Sequence, residues 1–263
     1  MPIFERPPLD TLATARDRWT PLYLEHGRVE VDDSSVKWIS KDGSVIRIPV
    51  ATVSTLILGP GTTVTHAAIK ICADCNTPLF WMGEDGMRFY AFGITPNHAN
   101  SMARKHAAAW ANRKDRTRIA RATIPQLRGM EGKRVKREYA RLGIEYGVTW
   151  KGRNYNPNSW DMADGINRAL SATNASLYAV TAAVVCSMGF LPQLGFVHDA
   201  GTLPFIYDVA DLYKHETAWP AAFEAIATNP SDDGRLARKK LKERIESSRL
   251  LRRMPDDLKA LIE

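Results

Sequence analysis

Two textures of hydrophobic patterning divide the chain. Between residues 27 and 93 apolar positions recur at every second residue in short runs: Val29 and Val31, then Val36 and Trp38, then Ile46 and Ile48 around Arg47. Period two is the mark of strands with one face inward, and the turn pairs Asp32-Asp33 and Asp42-Gly43 between the runs predict hairpins. Runs 54–58 and 62–65 flank Gly59-Pro60-Gly61, and runs 78–82 and 87–92 flank Gly83-Glu84-Asp85-Gly86, each reading as strand, turn, strand. Between them, 66–75 has helical spacing, with Ala67, Ile69, Ile71 and Cys72 apolar. From residue 100 onward the period becomes 3.6 in an alanine-rich, charged background, predicting helices over 100–120, 125–143, 162–188, 207–215, 217–228, 235–251 and 255–262. Pro125 suits a first helical turn and Gly143 a stop. The fold class expected is α+β: an antiparallel, β-sandwich-like N-terminal domain over 1–94, then an all-α domain over 95–263. Loops 150–160 and 189–204 stand out, because long irregular segments in compact domains commonly carry function.

Composition alone describes an ordinary globular protein, 44% hydrophobic and 25% charged over 263 residues. Charge adds a partner class. The net charge is +7, but residues 104–141 carry +10, residues 235–253 carry +7, and the rest sums to −10. Concentrated positive charge builds a local field for a polyanion, whereas evenly spread lysine would serve only solubility. The start, MPIFERPPLD, has no basic segment followed by an apolar run, and the most apolar stretch, 175–191, is interrupted by Ser176, Thr181 and Ser187 and is too short to span a bilayer. Three cysteines cannot build a disulfide framework. A cytoplasmic protein with no membrane attachment is therefore expected.

Candidate chemistry concentrates in GFVHDAGTLPFIYDVADLYK, residues 195–214. In a helix from Tyr207, Asp208 and Asp211 share one face, with Lys214 one turn further along. Two carboxylates with nothing basic in the preceding turn repel each other; a divalent cation resolves the repulsion, and His198 can bring an imidazole to it. One nitrogen with carboxylate oxygens suits Mn²⁺ or Mg²⁺ better than structural Zn²⁺. Asp208 also fits a helix N-cap, and a loop histidine also fits packing. A second patch, LRGMEGKRVKR (127–137), sets Glu131 among Arg128, Lys133, Arg134, Lys136 and Arg137. It reads either as a solvated helix face with local ion pairs or as a metal-binding carboxylate among cations that hold phosphates. In 235–253, Leu236, Leu241, Ile245 and Leu250 define one packed side, leaving Arg235, Arg238, Lys239, Lys240 and Arg244 to track a duplex from the other.

The segments QLRGMEGKRVKREYA, WKGRNYNP and GFVHDAGTLPFIYDVADLYK, with LGPGTTVTHAAIK and GEDGMRFYAFG in the first half, resemble the Cas-one family, the CRISPR-associated integrases of spacer acquisition, in its type I-E branch. The resemblance spans about residues 22–262. It implies a β-rich N-terminal domain for dimerisation and DNA contact, an α-helical catalytic domain, a symmetric homodimer, and two such dimers bridged by a dimer of the small Cas-two protein. It implies metal ligands at Glu131, His198 and Asp211, with Asp208 the acidic neighbour needed for activity and Lys214 beside the substrate phosphate. The reaction it implies joins the 3′-hydroxyls of a duplex with 3′ overhangs to the CRISPR repeat by direct transesterification. Tyr155, Trp160 and Tyr178 match positions near the pocket and suit stacking on the overhang, or equally core packing. His26 stands where relatives place a tyrosine that stacks on the duplex end, and a proline-rich tail of those relatives has no counterpart before Glu263. Arg88 reads as a DNA contact from the β domain or an exposed strand arginine. Cys72 and Cys75 have CxxC spacing without further ligands, and His66 reads as a helix-start residue. Two rivals remain open on sequence alone: a structure-selective nuclease or junction resolvase, and a non-catalytic scaffold for DNA ends.

Overall fold

The computed structural model describes residues 20–32, 35–83, 89–93, 100–123, 131–153, 164–232 and 234–263. Its strands are β1 (Thr20–Leu24), β2 (Gly27–Asp32), β3 (Ser35–Ser40), β4 (Val45–Ile48), β5 (Val53–Leu58), β6 (Thr63–Val64), β7 (Leu79–Met82) and β8 (Phe89–Gly93), with helix α1 (His66–Asp74) between β6 and β7. They form two four-stranded sheets, ordered β1-β5-β7-β8 and β4-β3-β2-β6. The α+β class holds. The expected antiparallel pairing holds for β2 with β3, β3 with β4, and β7 with β8, whereas β1 with β5, β5 with β7, and β2 with β6 pair in parallel.

Burial explains the difference. Leu56 and Leu58 of β5 and Leu79 of β7 join Leu24, Val29, Val36, Ala68 and Cys72 on the side facing the second sheet and α1. Their alternates Ile57, Phe80 and Met82 point the other way, into the helical core. Strands buried on both faces are the kind that pair in parallel, and they carry no polar-out signal from which pairing can be read. The segments flanking Gly59-Pro60-Gly61 are accordingly not a hairpin; the turn hands the chain from one sheet to the other. It is tied to the β1–β2 corner by Gly59 N–H to the Leu24 carbonyl at 2.7 Å and His26 N–H to the Pro60 carbonyl at 2.9 Å. A Cβ on Gly59 would come within 2.3 Å of the Tyr23 hydroxyl.

The helices are α2 (Ser101–Ala111), α3 (Arg113–Thr123), α4 (Glu131–Tyr146), α5 (Gly165–Ser187), α6 (Pro204–Asp211), α7 (Ala218–Thr228), α8 (Arg235–Ser247) and α9 (Leu250–Ile262). The single helix expected over 100–120 breaks at Asn112, whose Oδ1 accepts the Lys114 and Asp115 amides and so caps α3. Gly143 does not stop α4. The stop is Gly147 at φ +67°, while Gly143 allows a close approach, since a Cβ there would lie 2.9 Å from the Val148 carbonyl oxygen. Arg249, at φ +51°, separates α8 from α9, which runs through Pro255 instead of starting there. Helix α5 begins well before the apolar stretch judged too short to span a bilayer. By length and composition Gly165–Cys186 is long and apolar enough to cross a membrane, but 83% of that window is buried within the fold. It packs against α6, α7, α8 and β5 and, with α9, shares one apolar cluster with the sheet. The β-rich and helical parts thus meet through a common core.

Candidate active site

Helix α2 builds the platform for the loop that carries His198. His106 is fully buried on the α2 stripe that also includes Met102, Ala109 and Trp110. Its Nε2 donates to the Leu194 carbonyl at 2.9 Å, and its Nδ1 accepts the Leu191 amide at 3.2 Å. The ring lies against Phe205 at 4.2 Å between centroids and Phe196 at 5.3 Å. Burial holds its pKa down, to about 4, so it stays neutral and serves both bonds at once. Trp110 Nε1 adds a bond to the Gly195 carbonyl at 2.9 Å. Gly195 admits no side chain: a Cβ would fall 2.1 Å from the His198 carbonyl oxygen.

Asp208 fixes the next three residues. Helix α6 starts at Pro204, so Asp208 lies in its second turn and is not an N-cap. Buried at 1% exposure, its Oδ2 accepts the Phe196 and Val197 amides at 2.6 and 3.1 Å, and its Oδ1 accepts the His198 amide at 2.9 Å and His198 Nδ1 at 2.7 Å. Four donors satisfy this carboxylate, which corrects the expectation that Asp208 and Asp211 face each other unneutralised. The Asp208 hydrogen bond is also the main reason the His198 pKa is raised, with Asp211 adding to it. With its proton on Nδ1, His198 presents the Nε2 lone pair outward, the arrangement that a supporting carboxylate gives to a metal-binding histidine.

Asp211 stands at the end of α6. Lys214 Nζ lies 2.5 Å from its Oδ1 as an ion pair, yet that buried oxygen receives no aligned hydrogen bond among the described residues. Lys214 Nζ donates to Tyr178 Oη at 2.6 Å and sits 4.7 Å above the Tyr178 ring. Burial opposes the ammonium, but Tyr178 and Asp211 outweigh it and hold the Lys214 pKa above the ordinary lysine range. Tyr207 stands edge-on between His198 (5.9 Å) and Tyr178 (4.9 Å). Helix α4 approaches from the other side: Tyr139, two turns after Glu131, is buried against Trp150, Trp219 and Phe223 within electrostatic range of Arg153, Lys214 and Asp211. Arg153 anchors the start of the 150–160 loop on α5 through the Asn167 carbonyl oxygen and Oδ1 (3.2 and 3.1 Å) and Ser171 Oγ (3.0 Å).

The structure thus brings together His198, Asp208, Asp211, Lys214 and Tyr178. Tyr178 packs under Lys214 instead of presenting a free stacking face. Glu131 opens α4 by its backbone, but its side chain lies outside the described residues, as do Arg88, Arg128, Tyr155 and Trp160. Arg134, Lys136 and Arg137 are exposed on α4 just beyond Glu131. On α8, Lys239 and Arg235 are exposed and Arg238 lies over the Tyr23 ring at 5.3 Å. Lys240 and Arg244 depart from the expected duplex-tracking row: both pair with Glu224 of α7, at 2.8 and 2.9 Å, and Arg244 also donates to Tyr146 Oη at 2.9 Å. His26 is exposed at φ +55° in the β1–β2 corner. Cys72 and Cys75 are not joined in a disulfide, and burial pushes the Cys72 thiol up to about 12, which leaves it unreactive. Sequence reasoning missed His106, Trp110 and Tyr207. His106 was findable, because i, i+4, i+7 and i+8 spacing from Met102 to Trp110 puts it on a buried stripe where a histidine needs two partners.

Fold and site together define a class: a mixed β unit on a helical bundle, carrying a histidine–carboxylate centre beside a basic helix. The family model described as CRISPR associated protein Cas1 matches residues 22–126 and 121–240, and the chain belongs to the Cas1 family. It is 42% identical over 232 residues to CRISPR-associated endonuclease Cas1 2 of Chlorobaculum tepidum, covering 83% of this chain and 78% of that protein. It is 38% identical over 254 residues to CRISPR-associated endonuclease Cas1 of Escherichia coli K12, covering 91% and 83%. Among solved structures it matches the crystal structure of the TtCas1–DNA complex with a TM-score of 0.82 at 36% identity, covering 93% of this chain and 91% of that one. A casposase bound to integration product has the same fold, with a TM-score of 0.70 at 13% identity over 92% and 90% of the two chains.

Proposed function

We propose that the protein is a metal-dependent DNA endonuclease and integrase of CRISPR adaptation, which joins the 3′-hydroxyl ends of a prespacer duplex with 3′ overhangs to the repeat of a CRISPR array. The observation that carries this reading is the His198–Asp208 pair beside Asp211: one imidazole with its Nδ1 committed to Asp208 and its Nε2 without a hydrogen bond among the described residues, near a buried carboxylate oxygen held in an ion pair by Lys214. An imidazole nitrogen with a carboxylate oxygen suits a hard divalent cation; no three such groups cluster among the described residues, and with Glu131 as the third, His198 and Asp211 would hold Mg²⁺ or Mn²⁺. Bound there, the cation supplies Lewis-acid stabilisation of the charge that develops on the phosphate under attack.

The chain's own residues do the rest. Asp208 holds the imidazole and its loop in one orientation. Lys214, kept cationic by its surroundings, is positioned to turn from Asp211 toward a phosphate oxygen. Arg134, Lys136 and Arg137, with Arg128 before them, grip the backbone near Glu131, while Arg235, Arg238 and Lys239 engage a longer duplex. Arg88 and His26 extend that contact from the β part, with Tyr155 and Trp160 offered to the overhang. The assembly follows the family: residues 1–94 dimerise and contact DNA, 95–263 catalyse, and a Cas-two dimer bridges two homodimers. The DNA complex of the TtCas1 relative supports the DNA-binding part of this reading.

A strand-transfer assay on a supercoiled repeat plasmid with an overhang duplex, in Mg²⁺ and in Mn²⁺, with and without the partner, tests it. Covalently joined product from wild type, lost in Glu131→Ala, His198→Ala and Asp211→Ala while DNA binding persists, is the expected result. Hydrolysis without joining identifies a resolvase-like nuclease. Unchanged activity in all three variants identifies a scaffold.

A further inference from the structure

Behind the Asp211–Lys214 pair lies a second cluster that takes no part in the chemistry described above. Asp211 and Lys214 meet beside Tyr178 of α5, but Tyr213, which lies between them in sequence, is buried at 4% exposure and reaches α9 instead. Its hydroxyl donates to Asp257 Oδ2 at 2.8 Å. Arg253, one turn earlier on α9, places its guanidinium 5.3 Å from the Tyr213 ring centre and ion-pairs with Glu216. Residues 212–217, the turn between α6 and α7, are therefore held by α9 at two points. Within the turn, Thr217 Oγ1 donates to the Tyr213 carbonyl at 2.7 Å and Trp219 N–H to the Lys214 carbonyl at 3.0 Å, so Tyr213 and Lys214 move as a unit. Burial, reinforced by the Asp257 bond, pushes the Tyr213 phenol above the usual tyrosine range and keeps it a donor.

We infer that Tyr213, Asp257 and the Arg253–Glu216 pair form a clamp through which α9 sets the position of Lys214 and Asp211, making them positioning residues for DNA strand transfer. The inference rests on the proposed function of that centre. Helix α6 has eight residues and ends at Asp211; beyond it the chain continues in turns, with the Tyr213 and Lys214 amides both donating to the Ala210 carbonyl, at 2.9 and 3.2 Å. These backbone bonds hold one side of the turn, the side-chain anchors to α9 hold the other, and small displacements of catalytic groups are expensive in rate.

Tyr213→Phe removes one hydroxyl from a buried ring without changing its shape. Expected is a fall in kcat for strand transfer of about tenfold with KM for DNA changed less than about twofold. Asp257→Ala should reproduce the loss, and Asp257→Asn, which keeps an acceptor oxygen, should restore most of it. In a Lys214→Ala background Tyr213→Phe should lower kcat no further, a non-additivity that general destabilisation does not produce. Wild-type kcat in Tyr213→Phe, a change confined to KM, or full additivity with Lys214→Ala would overturn the clamp. Should Asp257→Ala fail to melt cooperatively, Tyr213→Phe alone and in the Lys214→Ala background decides. Asp211→Ala run alongside keeps the two readings apart. An active Asp211→Ala removes the proposed centre and the clamp with it, whereas an inactive one beside a wild-type Tyr213→Phe removes the clamp alone.

Discussion

His106 couples the stability of the site's platform to pH. Free in an unfolded chain its pKa is near 6.5; buried under the loop it is lowered to about 4, chiefly by burial. Above pH 6.5 both states are neutral there and the group adds no pH dependence. As pH falls below 6.5 the unfolded chain takes up a proton that the folded chain refuses, so stability declines until the folded pKa is reached. At about 1.4 kcal/mol for each pH unit crossed, the full loss is about 3 kcal/mol, of which about 2 kcal/mol is reached by about pH 5. His106→Leu removes this linkage, but it leaves the Leu191 amide and Leu194 carbonyl unpaired, at about 1–3 kcal/mol each. Urea unfolding of both proteins at pH 7.5 and pH 5 separates the effects. Wild type should be the more stable at pH 7.5, and its advantage should shrink by about 2 kcal/mol at pH 5. An advantage that stays the same at both pH values would refute the buried, neutral, doubly bonded His106.

Three further outcomes test neighbouring parts of the site. Gly195→Ala forces a Cβ onto the His198 carbonyl oxygen, so plasmid strand transfer should fall by about a hundredfold, with DNA affinity by filter binding retained. Asp208→Asn turns an acceptor that receives N–H groups into a donor; transfer should fall comparably, and a fully active variant would show that the His198 loop does not depend on those four bonds. Lys239→Ala should lower the slope of log affinity against log salt by about 0.9, whereas Lys240→Ala should leave that slope unchanged and lower the thermal midpoint, because its partner is Glu224.

Much of this was legible in the sequence where periodicity and local chemistry agreed. Strands β2, β3 and β4, helix α1 and helix α7 fall where alternation and 3.6 spacing put them. Parallel pairing was not, because β5 and β7 are apolar on both faces and nothing in such a run distinguishes its partners. Strand β1 escaped because Pro21 lies within it and weakens the strand signal, and the α2–α3 break because Asn112 caps from within an unbroken helical pattern. The motif carrying His198, Asp208, Asp211 and Lys214 was visible as a cluster. Its division of labour was not, since only tertiary structure shows that Asp208 is satisfied by backbone amides while Asp211 is ion-paired with Lys214. The same holds for basic charge: composition located it, but the pairing of Lys240 and Arg244 with Glu224 is set by how α8 packs on α7.

Titration of Mn²⁺ into the full-length protein, followed by electron paramagnetic resonance, tests the metal centre most directly. Saturable binding is expected in wild type, weakened about tenfold or more in both His198→Ala and Asp211→Ala, since removing even a residue that only supports a ligand costs that much. Equal Mn²⁺ binding by wild type and both variants would contradict a metal centre at His198 and Asp211.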